Sequence, residues 1–226
     1  MQHTTTTETT WQHEFRIRPE SDRFLREFDS YYAVYELLET KRKFDLTMRL
    51  LDIGRQVREG NRSWVRSDLE DIARWKGLQP PMLVIKKSAS DIDHLLQGAF
   101  GIENEEAKIG ALCTIQGIGP VLASTILMFT WPENCGFMDY HTWNSLRCLS
   151  FDLSKKHCTS RFTVPQLSAH LRIIRLLGEN KRRFTMDVVK ALYALDNTKI
   201  RKKWKEQLDA VNGRLPTKNV RRSSPL

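Results

Sequence analysis

Apolar residues recur three or four positions apart over most of the chain, the period of helices that bury one face. Phe24, Phe28, Tyr31, Tyr32, Tyr35 and Leu38 form one such stripe, and Leu46, Leu50, Ile53 and Val57 form a second that Gly60 ends. Ser67 and Glu70 have capping-box spacing ahead of Leu69, Ile72 and Trp75, and Gly77 stops that helix. Pro80 and Pro81 open a further element, and Ser90 caps a helix that runs to about Phe100 and closes at Gly101. Ala107 to Ile115 and Pro120 to Phe129 make a close pair. Helices are then predicted at about 140–149, 165–177, 184–195 and 198–211, with Val164-Pro165 and Gly178 at boundaries. No period-two alternation is long enough for a strand, and Met82 to Ile85 alone has no partner. The predicted fold class is all-α, without internal repeats.

Composition narrows this further. The 226 residues are 40% apolar and 28% charged, enough for a packed core. No run approaches ~18 consecutive apolar residues, which argues against a membrane span. The start, MQHTTTTETTWQHEF, has neither a basic stretch nor an apolar run, so it does not read as a secretory signal. Cys113, Cys135, Cys148 and Cys158 lie far apart, outside zinc or iron–sulfur spacings, and read as reduced thiols. The expected location is the cytoplasm (nucleoid) or the nucleus. Net charge is +9, yet Leu171 to Leu226 alone carries 15 Lys/Arg against 5 Asp/Glu. A basic C-terminal region on a near-neutral body suggests a polyanion, nucleic acid first, with a plain solvated face as the alternative.

The most informative segment runs from Leu112 to Leu146. Gln116-Gly117-Ile118-Gly119 turns the chain between two helices, and Pro120 stands where the second begins. Gly117 and Gly119 both permit positive φ, and Pro at the first helical position sacrifices no hydrogen bond. Ile118 should tuck inward, and the small Ala123 and Ser124 let the helices approach closely. The second helix then presents free N–H groups and its positive dipole end, a site for a phosphodiester.

This segment resembles the helix-hairpin-helix element of the DNA glycosylase superfamily that includes endonuclease III, MutY, AlkA and the 8-oxoguanine glycosylases. Like that family, it follows the hairpin with a Pro/Gly loop, Trp131 to Met138, and then an aspartate, Asp139, 22 residues past Gly117. Asp139-Tyr140-His141-Thr142-Trp143 looks like the family's Asp-x-His-x-Trp variants. The resemblance covers about 35 residues. It implies a two-subdomain helix-hairpin-helix fold: a tail at 1–15, an N-terminal helix at 16–42 packing with the C-terminal helices, a central subdomain at 43–138 with its hairpin at 107–129, a C-terminal subdomain at 139–211, and a basic tail at 212–226.

The resemblance further implies a monomeric base-excision glycosylase acting on double-stranded DNA that carries a damaged or modified base. Asp139 would be the catalytic carboxylate, stabilising an oxocarbenium-like sugar once the base has left the stack. Its alternative is a helix N-cap. Gln116, Gly117, Ile118, Gly119, Val121, His141, Lys181, Arg182 and Arg183 would contact DNA. Trp131, Tyr140 and Trp143 are candidate base-pocket aromatics, with core packing as their alternative. Bifunctional members carry a nucleophilic lysine four residues after the first hairpin glycine. Val121 stands there, so a monofunctional enzyme is expected, and Lys108 reads as a solvated helix-face residue. No iron–sulfur cluster is implied, and the resemblance leaves room for a monovalent cation at the hairpin. Two rivals remain: a non-catalytic helix-hairpin-helix DNA-binding protein, and a bifunctional glycosylase/lyase with a relocated lysine.

If about five phosphates are engaged, log K for duplex DNA falls against log salt with a slope of roughly −4 to −5. Replacing Gly119 with leucine weakens binding to all sequences alike. A flat salt titration, or unchanged affinity in that variant, counts against the hairpin as a DNA anchor.

Overall fold

The computed structural model describes residues 19–78, 89–149 and 162–197. These residues form helices and no strand, in the order α1 (Pro19–Leu38), α2 (Lys41–Arg58), α3 (Arg66–Lys76), α4 (Ala89–Phe100), α5 (Glu105–Thr114), α6 (Pro120–Thr130), α7 (Tyr140–Cys148), α8 (Val164–Lys181) and α9 (Thr185–Asp196). The all-α class is therefore established for the described residues. None of these helices is long and apolar enough to cross a membrane.

One hydrophobic cluster draws on every helix, from Phe24 and Phe28 of α1 to Val188 and Leu192 of α9. At its centre is α6, buried from Leu122 through Thr130. Helices α2, α3, α5 and α8 pack around α6, while α1, α7 and α8 pack on α9. The contact of α2 with α6 is close because of Gly54: a Cβ there would sit 1.9 Å from the Phe129 carbonyl oxygen. Helix α1 is fastened to α9 by Tyr35 against Tyr193, ring centroids 5.9 Å apart, and by a 2.9 Å bond from Lys190 Nζ to Glu36 Oε1.

Several predicted boundaries shift. Helix α3 begins two residues early, after Val65, and the Asp68 carboxylate rather than Glu70 accepts the N-cap N–H, at 3.2 Å. Helix α4 starts at Ala89, so Ser90 lies inside it. Gly178 does not end α8, which continues to Lys181 and stops at Arg182 in the left-handed conformation. A Cβ at Gly178 would lie 2.9 Å from the Arg183 carbonyl oxygen, so its small size serves the fold-back into α9. The element opened by Pro80-Pro81, the Met82 to Ile85 stretch, Cys158, the helix at 198–211 and both tails lie outside the described residues.

Gly54→Ala is expected to cost about 1–3 kcal/mol, because the new methyl meets backbone that cannot yield. Gly110→Ala in α5 meets nothing within 4 Å and should be neutral or stabilise by up to about 1 kcal/mol. Chemical denaturation of the two variants checks the pair.

Candidate functional site

The hairpin between α5 and α6 is a tight turn. Of the two glycines that permit positive φ, Gly117 alone uses it, at 94°, whereas Gly119 is extended and serves as the N-cap of α6. Ile118 is buried, and its N–H bonds to the Ile115 carbonyl at 2.9 Å. Gln116, Gly117 and Gly119 are exposed, and a Cβ at Gly119 would meet nothing within 4 Å. The Ser124 hydroxyl does more than keep the helices close. It donates to the Val121 carbonyl at 2.7 Å and accepts the Met138 N–H at 2.9 Å, so α6 holds the residue that precedes Asp139.

The loop from Trp131 to Met138 is tied down along its length. Carbonyls of Pro132 and Glu133 accept the first N–H groups of α9, which lacks a side-chain cap. Arg58 pairs with Glu133 at 2.7 Å, and Arg175 donates to the Asn134 carbonyl at 2.7 Å. A Cβ at Gly136 would lie 2.6 Å from Val189 and 2.8 Å from Ile174, which fixes the loop against α8 and α9. The Phe137 carbonyl accepts from His170 Nε2 at 3.2 Å. Burial pushes the His170 pKa down to about 4, so the ring is neutral, and this bond requires the Nε2–H tautomer.

Asp139 emerges from this loop as the N-cap of α7. Its Oδ1 accepts the Thr142 N–H at 2.8 Å, and the Thr142 hydroxyl accepts the Asp139 N–H at 3.0 Å. The capping role is real, but it occupies one oxygen. Asp139 lines a cavity of about 330 Å³, and its Oδ2 forms an ion pair with Lys76 Nζ, whose residue lines the same cavity. The two side chains are 8% and 15% exposed. Burial works against the Asp139 carboxylate, yet the Lys76 ammonium and the Thr142 N–H hold its pKa below the ordinary aspartate value.

The rest of the cavity comes from across the chain. Tyr35 of α1, Lys43 of α2, Trp75 of α3, Leu78, Val121 of α6, Phe137, Tyr140 and His141 of α7, Phe162 and Tyr193 of α9 complete its lining. Lys43 Nζ stands 4.8 Å from the Trp75 ring centroid and 5.6 Å from that of Tyr35. Lys76 Nζ stands 4.1 Å from the Phe137 centroid. Burial first, and Lys76 repulsion second, push the Lys43 pKa down. His141 Nδ1 lies 2.8 Å from Asp196 Oδ2, which orients the ring beside Tyr193. Among the described residues no three His, Cys, Asp or Glu side chains gather as a metal site.

The structure thus brings together Asp139, Tyr140, His141 and Val121 of the residues singled out in the sequence. Tyr140 is 55% exposed, at the rim. Trp131 and Trp143 lie outside the lining. Trp131 packs against Phe100 with Lys108 over its face, so Lys108 is held on an aromatic ring rather than free in solvent. Trp143 is 3% exposed, in the core beside Phe162. Lys181, Arg182 and Arg183 sit at the α8–α9 turn, also outside the lining, and Arg183 pairs with Asp29 of α1 at 3.0 Å. The rest of the basic C-terminal region, including the run from Lys199 to Lys205, lies outside the described residues. Compared with protein-family models, curated proteins and solved structures, the chain matches none.

Removing one member of the Lys76–Asp139 pair strands a charge in a poorly hydrated site. Lys76→Met and Asp139→Asn are each expected to lose up to about 3 kcal/mol, while the double variant loses less than the sum. Because the folded-state pKa of Asp139 is depressed, the pair's contribution is present above the ordinary aspartate value and lost as pH falls through the depressed one. Denaturation curves across pH should show wild type and double variant converging in acid, and a constant gap would refute the linkage.

Proposed function

We propose that the chain is a DNA base-excision glycosylase of the helix-hairpin-helix type, hydrolysing an N-glycosidic bond with Asp139 as its carboxylate. The observation that carries this reading is the placement of Asp139. It caps α7 with one oxygen, pairs the other with Lys76, and lines an aromatic-walled cavity that also receives Val121, from the first turn of the hairpin helix. The cavity volume falls within the range of small-ligand pockets, about 300–1,000 Å³. A base flipped from the duplex would stack against these walls. The ionised Asp139 would then face the sugar as positive charge develops there, and would orient the attacking water. The exposed hairpin tip, with open space at Gly119, would take the phosphate backbone. In this reading the helices around α6 form one subdomain, and α1 with α7 to α9 form the other.

One observation favours a second reading of the same site. Val121 stands where the resemblance puts a nucleophilic lysine, yet two lysines of other helices, Lys43 and Lys76, line the cavity, and Lys76 touches Asp139. Asp139 would take a proton from the Lys76 ammonium, and the freed amine would attack the anomeric carbon as the base departs with the electron pair of the glycosidic bond. The proton held by Asp139 would pass to that base. That is the bifunctional glycosylase/lyase with its lysine moved to α3.

Single-turnover base release on duplexes with one altered base each tests both. Asp139→Asn should fall by about two orders of magnitude, the scale of ~3 kcal/mol of transition-state stabilisation. The hydrolytic reading predicts intact abasic sites and no borohydride-trapped adduct. An adduct abolished by Lys76→Met establishes the lyase instead. Wild-type release rates in Asp139→Asn overturn the catalytic assignment and leave a DNA-binding protein.

A further inference from the structure

We infer that the cavity selects a base presenting carbonyl oxygens and leaving as an anion, that it disfavours bases carrying a positive charge, and that Lys43 sets this preference. The inference rests on the base-excision reading and adds the class of base.

A pocket walled by aromatic rings ordinarily attracts cations, since each ring face is electron-rich. Here the chain's own ammoniums already stand over three of those rings. Lys43 covers Trp75 and Tyr35, and Lys76 covers Phe137. Among the described residues the lining holds two ammoniums and one carboxylate, and that carboxylate is paired with Lys76. His141 is turned to Asp196. Lys190 answers Glu36 behind Tyr35. Glu39 attracts Lys43 but lies outside the lining, where it accepts from the Thr47 hydroxyl. Among the described residues Lys43 makes no salt bridge. It is a part-buried donor with two rings and no counterion in contact.

Such a donor gains from an acceptor. A carbonyl edge would receive a charge-assisted hydrogen bond from Lys43, and a base made cationic by ring methylation would meet an excess positive lining. The preference extends to the chemical step. When the bond between the anomeric carbon and the base nitrogen breaks, the electron pair departs with the base, water adds to the sugar, and the water proton ends on the base. A neutral base leaves as an anion and needs a nearby cation, whereas a ring-methylated cationic base leaves neutral and does not. Burial and the nearby Lys76 weaken the hold of Lys43 on its proton, and negative charge developing on the departing base offsets both.

The test measures binding by the full chain, on duplexes whose altered nucleotide carries a sugar fluorine that blocks excision. The bases compared are uracil, hypoxanthine, 8-oxoguanine and a ring-methylated cationic guanine. Wild type should bind the tightest carbonyl-rich duplex about tenfold better than the cationic one, the scale of one charge-assisted hydrogen bond. Lys43→Arg keeps that ratio, and Lys43→Met brings it to within about twofold; Lys43→Gln replaces Met if melting curves show a loosened fold. Equal wild-type affinity for the cationic base, or an unchanged ratio without the charge, overturns the inference. A chain that shows the preference but releases no base upholds the binding preference set by Lys43 and overturns the catalytic reading together with the leaving-group part of the inference. A chain that releases base without the preference overturns the inference alone, and failure to favour any altered duplex over plain DNA overturns both.

Discussion

A helix with no face toward water must satisfy every polar group from within, and α6 is such a helix. Its hydroxyls show how this is done. Thr125 and Ser124 both donate to the Val121 carbonyl, Thr130 donates to Ile126, and Trp64 closes on the Thr130 hydroxyl at 3.2 Å. Ser124 still has a lone pair to offer, and the Met138 N–H takes it. The position of Asp139 therefore follows from how a buried helix meets its own hydrogen-bonding demand. Shifting α6 would move the carboxylate with it.

Charge follows the same logic at the cavity. Lys76 occupies the last turn of α3, where a cation suits the helix dipole, and its stem runs inward. The ammonium then needs a counterion, and Asp139 needs one as well. Each offsets the desolvation of the other. Lys43 is the residue this local neutrality leaves over, and the aromatic rings are what make its burial tolerable.

The sequence was most legible where periodicity or turn chemistry acts locally. The helical stripes, the αL stop at Gly77, the hairpin and the α7 cap all follow from residues within a few positions of one another. Boundaries slipped where a neighbour competed, as when Asp68 in place of Glu70 answered the start of α3. The cavity was legible only on its Asp139 side. Lys43 sits in the run Lys41-Arg42-Lys43, which reads as a solvated face, and Lys76 reads as an ordinary C-terminal lysine. Lys43 meets the Trp75 indole only across the fold, 32 positions away, and Lys76 turns to Phe137 rather than to its neighbour Trp75, so neither contact is written in the local sequence. Trp131 and Trp143 misled for the converse reason, since sequence proximity to Asp139 says nothing about which way a helix turns its side chains.

Tyr35 and Tyr193, which wall the same cavity edge to face, belong to the first and last helices described. The two rings lie 158 positions apart in the chain, so their encounter must wait until α9 has been made. The cavity stays open along one side until α9 has left the exit tunnel and α1 has docked on it. During synthesis the aromatic stripe of α1 is therefore an exposed apolar surface awaiting a partner more than a hundred residues downstream, the kind of segment that chaperones hold.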